Sequence, residues 1–167
     1  MAKDPSFDVV SEVDMQEMDN AVNQVKKEII QRYDFKGSAA EIDLLQKEQE
    51  INLTADSEQK LAAMIDILQS KAVKRNLSLK VFEYGKIEYA SGNKAKQKIK
   101  IKCGIDKERA KKIINDIKGA QIKVQAQIAD DIVRVTSKNI DDLQTIIQML
   151  KEKDYDLPLQ FINFRSK

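Results

Sequence analysis

Residues 51–68 read INLTADSEQKLAAMIDIL and residues 133–150 read VRVTSKNIDDLQTIIQML. Laid over each other at an offset of 82, Ile51 meets Val133, Leu53 meets Val135 and Thr54 meets Thr136. Leu61, Ile65 and Leu68 then meet Leu143, Ile147 and Leu150 without a gap, and further on Leu79 meets Phe161 and Phe82 meets Phe164. Each stretch opens with period-two alternation and passes into apolar residues three and four apart, the pattern of a strand followed by a helix. A match of this kind marks an internal duplication.

The same two periods continue outward. Met15, Met18, Val22, Val25 and Ile29 predict a further helix, and so do Ala110, Ile113, Ile114 and Ile117. Asp14 with Glu17, Ser57, Asp106 and Asn139 stand where helix caps are needed. Between the helices FDVVSEV, AAEIDLL, EINLTA, LSLKVF, QKIKIKC, AQIKVQAQI, DIVRVTS and LPLQFINF read as strands. The order is β-α-β-β-α-β, written twice: an α+β tandem duplication of two ferredoxin-like domains, each a four-stranded antiparallel sheet with two helices on one face. Residues 85–96 (GKIEYASGNKAK), with two glycines and a serine, read as the linker.

Composition narrows the function. In 167 residues, 42% of them hydrophobic, there is no apolar run long enough to span a membrane and no apolar core of a signal peptide after MAKDPSFD. With a single cysteine, Cys103, no internal disulfide forms, and a cytoplasmic protein is expected. Residues 1–92 carry 12 Lys and Arg against 17 Asp and Glu, a net of −5; residues 93–167 carry 17 against 10, a net of +7. Segment 94–123 holds 11 basic and 3 acidic residues. Such a segment suits an anionic partner, and nucleotide or nucleic acid is the usual one; a solvated lysine face is the alternative.

The chain has no histidine, which removes the imidazole base and the usual metal ligand. No GxGxxG or P-loop pattern occurs. Cys103, on the inward side of QKIKIKC with Ile99 and Ile101, reads as a core thiol. No enzyme, cofactor or metal is expected. The strands that would carry stacking rings in an RNA-recognition motif, EINLTA, DIVRVTS and QKIKIKC, have none, so that module is rejected.

Candidate binding residues follow from strand alternation. If Ile122, Val124, Ala126 and Ile128 face the helices, then Lys123, Gln125 and Gln127 face the open side, together with Arg134, Thr136, Gln160, Ile162 and Phe164. Lys98, Lys100 and Lys102 alternate along QKIKIKC with neighbours about 6.5–7 Å apart, near the phosphate spacing of an extended single strand. RYDFKG, residues 32–37, read as extended, puts Tyr33 and Phe35 over the open end of the first core. It turns Arg32, Asp34 and Lys36 outward, and Arg32 and Lys36 would then hold a phosphate with Asp34 orienting the guanidinium. The closing FINFR offers Asn163 for a base or backbone contact, Phe164 for stacking and Arg165 for phosphate.

PSFDVVSEVDMQE, RYDFKGSAAEI, KVQAQI with VRVTSKNIDDLQ, and LQFINFR together resemble the YajQ family of small bacterial nucleotide-binding proteins. The resemblance covers nearly the whole chain and is weakest over residues 71–96. It implies tandem ferredoxin-like domains that exchange their N-terminal strands, FDVVSEV completing the second sheet and QKIKIKC the first. The first domain would then be 14–103, completed by strand 97–103, and the second 1–13 plus 104–167, completed by strand 7–13. Charge favours the exchange: unexchanged, Lys98, Lys100 and Lys102 would share a face with Arg134, whereas exchange sets Asp8 and Glu12 beside it. The resemblance also implies binding of nucleotides or RNA and, for some members, of cyclic di-GMP; no enzymatic activity is established for the family as such. The leading expectation is a non-catalytic nucleotide- or RNA-binding protein. A cyclic di-GMP receptor signalling through a protein partner and a protein-interaction adaptor without a nucleotide ligand are the alternatives.

Overall fold

The structure, a computed structural model, describes residues 4–166; the first three residues of the segment expected to open the second domain lie outside them. Its strands are β1 (Ser6–Val10), β2 (Glu41–Leu45), β3 (Glu50–Ala55), β4 (Phe82–Tyr84), β5 (Glu88–Ala90), β6 (Lys94–Ile101), β7 (Gln125–Ala129), β8 (Ile132–Thr136) and β9 (Gln160–Arg165). Its helices are α1 (Met15–Gln31), α2 (Glu58–Lys74), α3 (Lys107–Gly119) and α4 (Ile140–Glu152). The chain divides into two compact units, Val13–Lys102 and Met1–Glu12 with Cys103–Lys167.

In Val13–Lys102 the sheet order is β2-β3-β6-β4 and every pairing is antiparallel. The inward side of the central strands is apolar: Ile51, Leu53 and Ala55 of β3 and Ala95, Ile99 and Ile101 of β6 are buried. Met18, Val22, Val25 and Ile29 of α1 and Leu61, Met64, Ile67 and Leu68 of α2 close over them. Burying each such aliphatic side chain is worth about 1.5–3 kcal/mol, so this stripe, not helix propensity, holds the two helices on the sheet. Asp14 caps α1 by accepting from the Gln16 and Glu17 amides, and Ser57 caps α2 through the Lys60 amide.

The other unit has the equivalent order, β7-β8-β1-β9. Phe7 and Val9 of β1 and Val133 and Val135 of β8 pack under Ala110, Ile113 and Ile117 of α3 and Leu143, Ile146, Ile147 and Leu150 of α4. The central strand of each sheet therefore comes from beyond the rest of its unit. β1 inserts between β8 and β9, and β6 between β3 and β4. Asn139 caps α4 through the Asp141 amide, whereas Asp106 makes no side-chain cap and instead binds Arg109.

Several expected elements are corrected. Residues 85–96 are not a free linker: Glu88–Ala90 pair with Lys94–Lys96, and β6 begins inside the segment. LSLKVF is a single 3-10 turn over Leu79–Val81, capped by Ser78, and only its last residue enters β4. AQIKVQAQI forms strand only from Gln125, and Ile128, at the sheet edge, is exposed rather than covered. Cys103 is half-buried just past the end of β6, and burial with the Asp131 carboxylate pushes its thiol up, away from nucleophile behaviour.

Candidate functional site

Two basic surfaces lie on the helix-free sides of the sheets. On β6 the alternation is complete: Ala95, Gln97, Ile99 and Ile101 point inward, and Lys94, Lys96, Lys98 and Lys100 are exposed. Lys96, Lys98 and Lys100 line a concavity of about 620 Å³ with Asn52 and Thr54 of β3, Glu83 and Tyr84 of β4, and Gly85, Lys86 and Glu88 beyond it. The turn from β4 into β5 makes the far wall. It approaches closely because residue 85 has no side chain: the Gly85 amide donates to the Lys98 carbonyl at 2.8 Å, and a Cβ there would meet that same oxygen at 2.9 Å. Gln97 adds a bond from its amide to the Gly85 carbonyl.

The ammonium groups of Lys96, Lys98 and Lys100 take no part in the ion pairs found elsewhere in this unit, such as Lys26–Asp43 and Lys71–Glu28. Glu88 stands across from Lys96, and Glu50 and Glu83 flank Lys100, while Lys98 faces Asn52. The side-chain Oδ1 of Asn52 is buried with no hydrogen-bond partner among the described residues. Lysines, an unsatisfied amide and the Thr54 hydroxyl thus meet in one place, whereas the Tyr84 side chain, in register with the inward-facing Ile99, lies on the helix side, where its hydroxyl accepts from Gln69 Nε2 at 2.8 Å. Of these only Lys98 and Lys100 were marked by the sequence; Lys96, of the same parity, lay in the stretch read as linker. Lys102 falls outside the row, half-buried past the strand end, with its amide bonded to the Val81 carbonyl.

The second surface centres on Asp8. Its carboxylate, 1% exposed, accepts from Arg134 Nε at 2.9 Å, Asn163 Nδ2 at 2.9 Å and Arg165 Nη2 at 3.2 Å. Burial alone would raise this carboxyl, but the bonds from Arg134, Arg165 and Asn163 outweigh it and hold the group well below the usual carboxylate range. Sequence reading placed Arg134 on the open face and offered Arg165 for phosphate without assigning it to that face; both are there, already joined through Asp8. Phe164 is not on that face. Asn163 adopts a left-handed backbone (φ 57°) and the β1–β9 register shifts between Ser6 and Asp8, so two residues of β9 span one step of β1. The bulge turns Phe164 to the core side, its ring 5.9 Å from that of the buried Phe7, and returns Arg165 to the open face. Lys123 is exposed but precedes β7, and its carbonyl accepts from Ser137 Oγ.

RYDFKG is a 3-10 turn over Tyr33–Phe35, not an extended strand entry. With about three residues per turn the rings no longer share a side. Phe35 is buried under the Lys60 and Arg32 cations, and Tyr33 is 89% exposed. Arg32 grips Asp34 through Nε at 3.0 Å and Nη2 at 2.9 Å and also reaches Glu28. A guanidinium shared by two carboxylates leaves little positive charge for a phosphate, and Lys36 stands exposed beside it without joining the pair.

The sequence that builds these two sheets matches a known family. A profile described as "Nucleotide-binding protein YajQ-like" matches residues 5–165. The chain belongs to the YajQ-like family. A nucleotide-binding protein of Carboxydothermus hydrogenoformans is 57% identical over 165 residues, covering 99% of this chain and all of the relative. Nucleotide-binding proteins of Geobacter sp. (strain M21) and Alkaliphilus oremlandii are 59% and 53% identical, over 97% and 99% of this chain and 99% and 100% of theirs. The YajQ-like match runs through both units. Among the described residues no helix is long and apolar enough to cross a membrane.

Proposed function

We propose that the protein is a non-catalytic, cytoplasmic nucleotide-binding protein whose ligand lies in the groove over β6. The observation that carries this reading is the row Lys96, Lys98 and Lys100, free of ion pairs among the described residues, along a concavity of about 620 Å³. That volume lies in the range of small-molecule sites. The lysines serve the phosphates, and Asn52 and Thr54 offer hydrogen bonds to the rest of the nucleotide. The names of the relatives support a nucleotide as the ligand class. The groove's groups bind rather than transform: its carboxylates Glu83 and Glu88 stand across from lysines, and the chain has no histidine. The reading places the protein in the cytoplasm, where nucleotides and RNA are at hand.

Calorimetry against mononucleotides, cyclic di-GMP and a short single-stranded RNA, each at two salt concentrations, tests it. A K96Q/K98Q/K100Q protein should remain folded, because these side chains are exposed on a strand whose other side makes the core. It should lose mononucleotide affinity at least tenfold. If RNA is the ligand, the log–log salt slope should fall by about 0.7 for each phosphate contact removed. Selective, stoichiometric binding of cyclic di-GMP would assign the signalling role instead. A triple variant that binds like the wild type removes the groove, and silence across the whole panel leaves the adaptor reading.

A further inference from the structure

The duplication gives the open faces of the two sheets equivalent positions. In register, Lys98 of β6 opposes Asn52 of β3, and Asp8 of β1 opposes Arg134 of β8; Asn52 and Arg134 are themselves 82 residues apart, the offset of the repeat. The basic partner has moved from the central strand to its neighbour, and the second face is built differently. We infer that the open face around Arg134 and Arg165 is a second anion site, for a phosphate group of free phosphate or of a nucleotide.

Charge is the first argument. Among the strand residues that register places on this face, Asp8 is the one carboxylate, against the guanidiniums of Arg134 and Arg165. One positive charge remains uncompensated at a half-exposed position. The donor inventory is the second. Arg134 commits two of its five N–H groups, Nε and one on Nη2, to Asp8. Arg165 commits Nη1 to Ser6 Oγ and Asp8 Oδ1 and one Nη2 hydrogen to Asp8 Oδ2. Three N–H groups of Arg134 and two of Arg165 have no acceptor in these bonds, and both side chains are about two-fifths exposed.

Preorganisation is the third argument. A buried carboxylate fixes both guanidinium planes in advance, so an incoming oxyanion does not have to order two long side chains. Phosphate suits the geometry because several oxygens at one centre can accept from both arginines at once. This inference does not rest on the β6 groove, with which it shares no residue.

The test is the pair of Arg134 and Arg165 Nε–Hε signals in a proton–nitrogen spectrum of the whole protein, titrated with inorganic phosphate, AMP and adenosine. Phosphate and AMP should shift both signals saturably, and adenosine should leave them in place. Whichever of the two gives the lower Kd identifies the source of the phosphate group. Arg109, already held by Asp106, the Tyr155 carbonyl and Asp156, is the internal control and should not move. R165Q should weaken phosphate at Arg134 at least tenfold, and AMP should still shift both signals in K96Q/K98Q/K100Q. Equal shifts with chloride at matched ionic strength, equal shifts at Arg109, or equal shifts with adenosine would reduce the cluster to a structural clamp. The wild-type comparison of Arg165 with Arg109 decides the matter even if R165Q fails to fold.

Discussion

Arg134 Nε donates to Asp8 Oδ1 at 2.9 Å although 126 residues of chain separate them. The pair joins β8 to a strand from the other end of the sequence, and it does so where an unexchanged sheet would have set lysine against arginine. Each repeat has thus placed on its own first strand the charge that its partner sheet needs. Lys96, Lys98 and Lys100 pass to the sheet with Asn52 and Glu50, and Asp8 passes to the sheet with Arg134 and Arg165.

Asp8→Asn should destabilise the protein by about 2–3 kcal/mol, because it removes charge-assisted bonds from a buried acceptor shared by three donors. Asp34→Asn, at an exposed carboxylate, should leave the urea midpoint unchanged within error. Urea denaturation of both proteins at pH 7 checks the contrast, and equal effects would deny Asp8 its central place.

The acid limb of stability should carry the signature of Asp8. Its folded carboxyl lies well below its unfolded value of about 3.9, so below pH 5 the unfolded state binds more protons than the folded one. The contribution is full above the unfolded pKa and is lost as pH falls from about 5 through 3 and lower. Urea midpoints between pH 5 and pH 2.5 should drop more steeply in the wild type than in D8N. Parallel curves would contradict this.

Gly85→Ala should weaken both fold and groove. The added Cβ meets the Lys98 carbonyl oxygen at 2.9 Å, a backbone atom within a ladder that cannot step aside. Loss of the Gly85–Lys98 bond should cost about 1–3 kcal/mol and lower nucleotide affinity measured by calorimetry. Gly119→Ala, where a Cβ meets nothing within 4 Å, is the matched control.

Phe35 and Tyr33 should part company under mutation. Phe35→Ala empties a buried site and should cost about 3–5 kcal/mol. Tyr33→Ala should change stability by no more than about 0.5 kcal/mol, since that ring is in solvent. Thermal denaturation of both variants distinguishes the 3-10 turn from an extended RYDFKG, in which both rings would matter.

The regular part of this architecture was readable because repeated periodicity is a long-range signal: Leu143, Ile146, Ile147 and Leu150 recur at helical spacing, and all four are buried. What escaped were single-residue events. One left-handed residue, Asn163, reverses the parity of everything after it in β9, and nothing in FINFR announces the bulge. A 3-10 turn and a strand of three alternating residues look alike in RYDFKG, and only packing against Phe35 separates them. The groove was half legible. The lysine row is a pattern, whereas its far wall depends on Gly85 folding back against Lys98, a contact between residues 13 apart in a segment whose glycines suggested a linker.

The exchanged strands also fix an order of events during synthesis. Val13–Lys102 contains every strand of its own sheet once Ile101 has been made, so this unit can close early. Ser6–Val10, whose five residues are all buried in the finished protein, has to wait for Ile132–Thr136 and then for Gln160–Arg165. At about 5–20 residues per second, the ribosome leaves this apolar strand unpaired on both edges for about 6–25 s. Through that interval the growing chain carries SFDVV as an adhesive strand, and Asp8 is the one charge within those five residues that opposes sticking to another nascent copy.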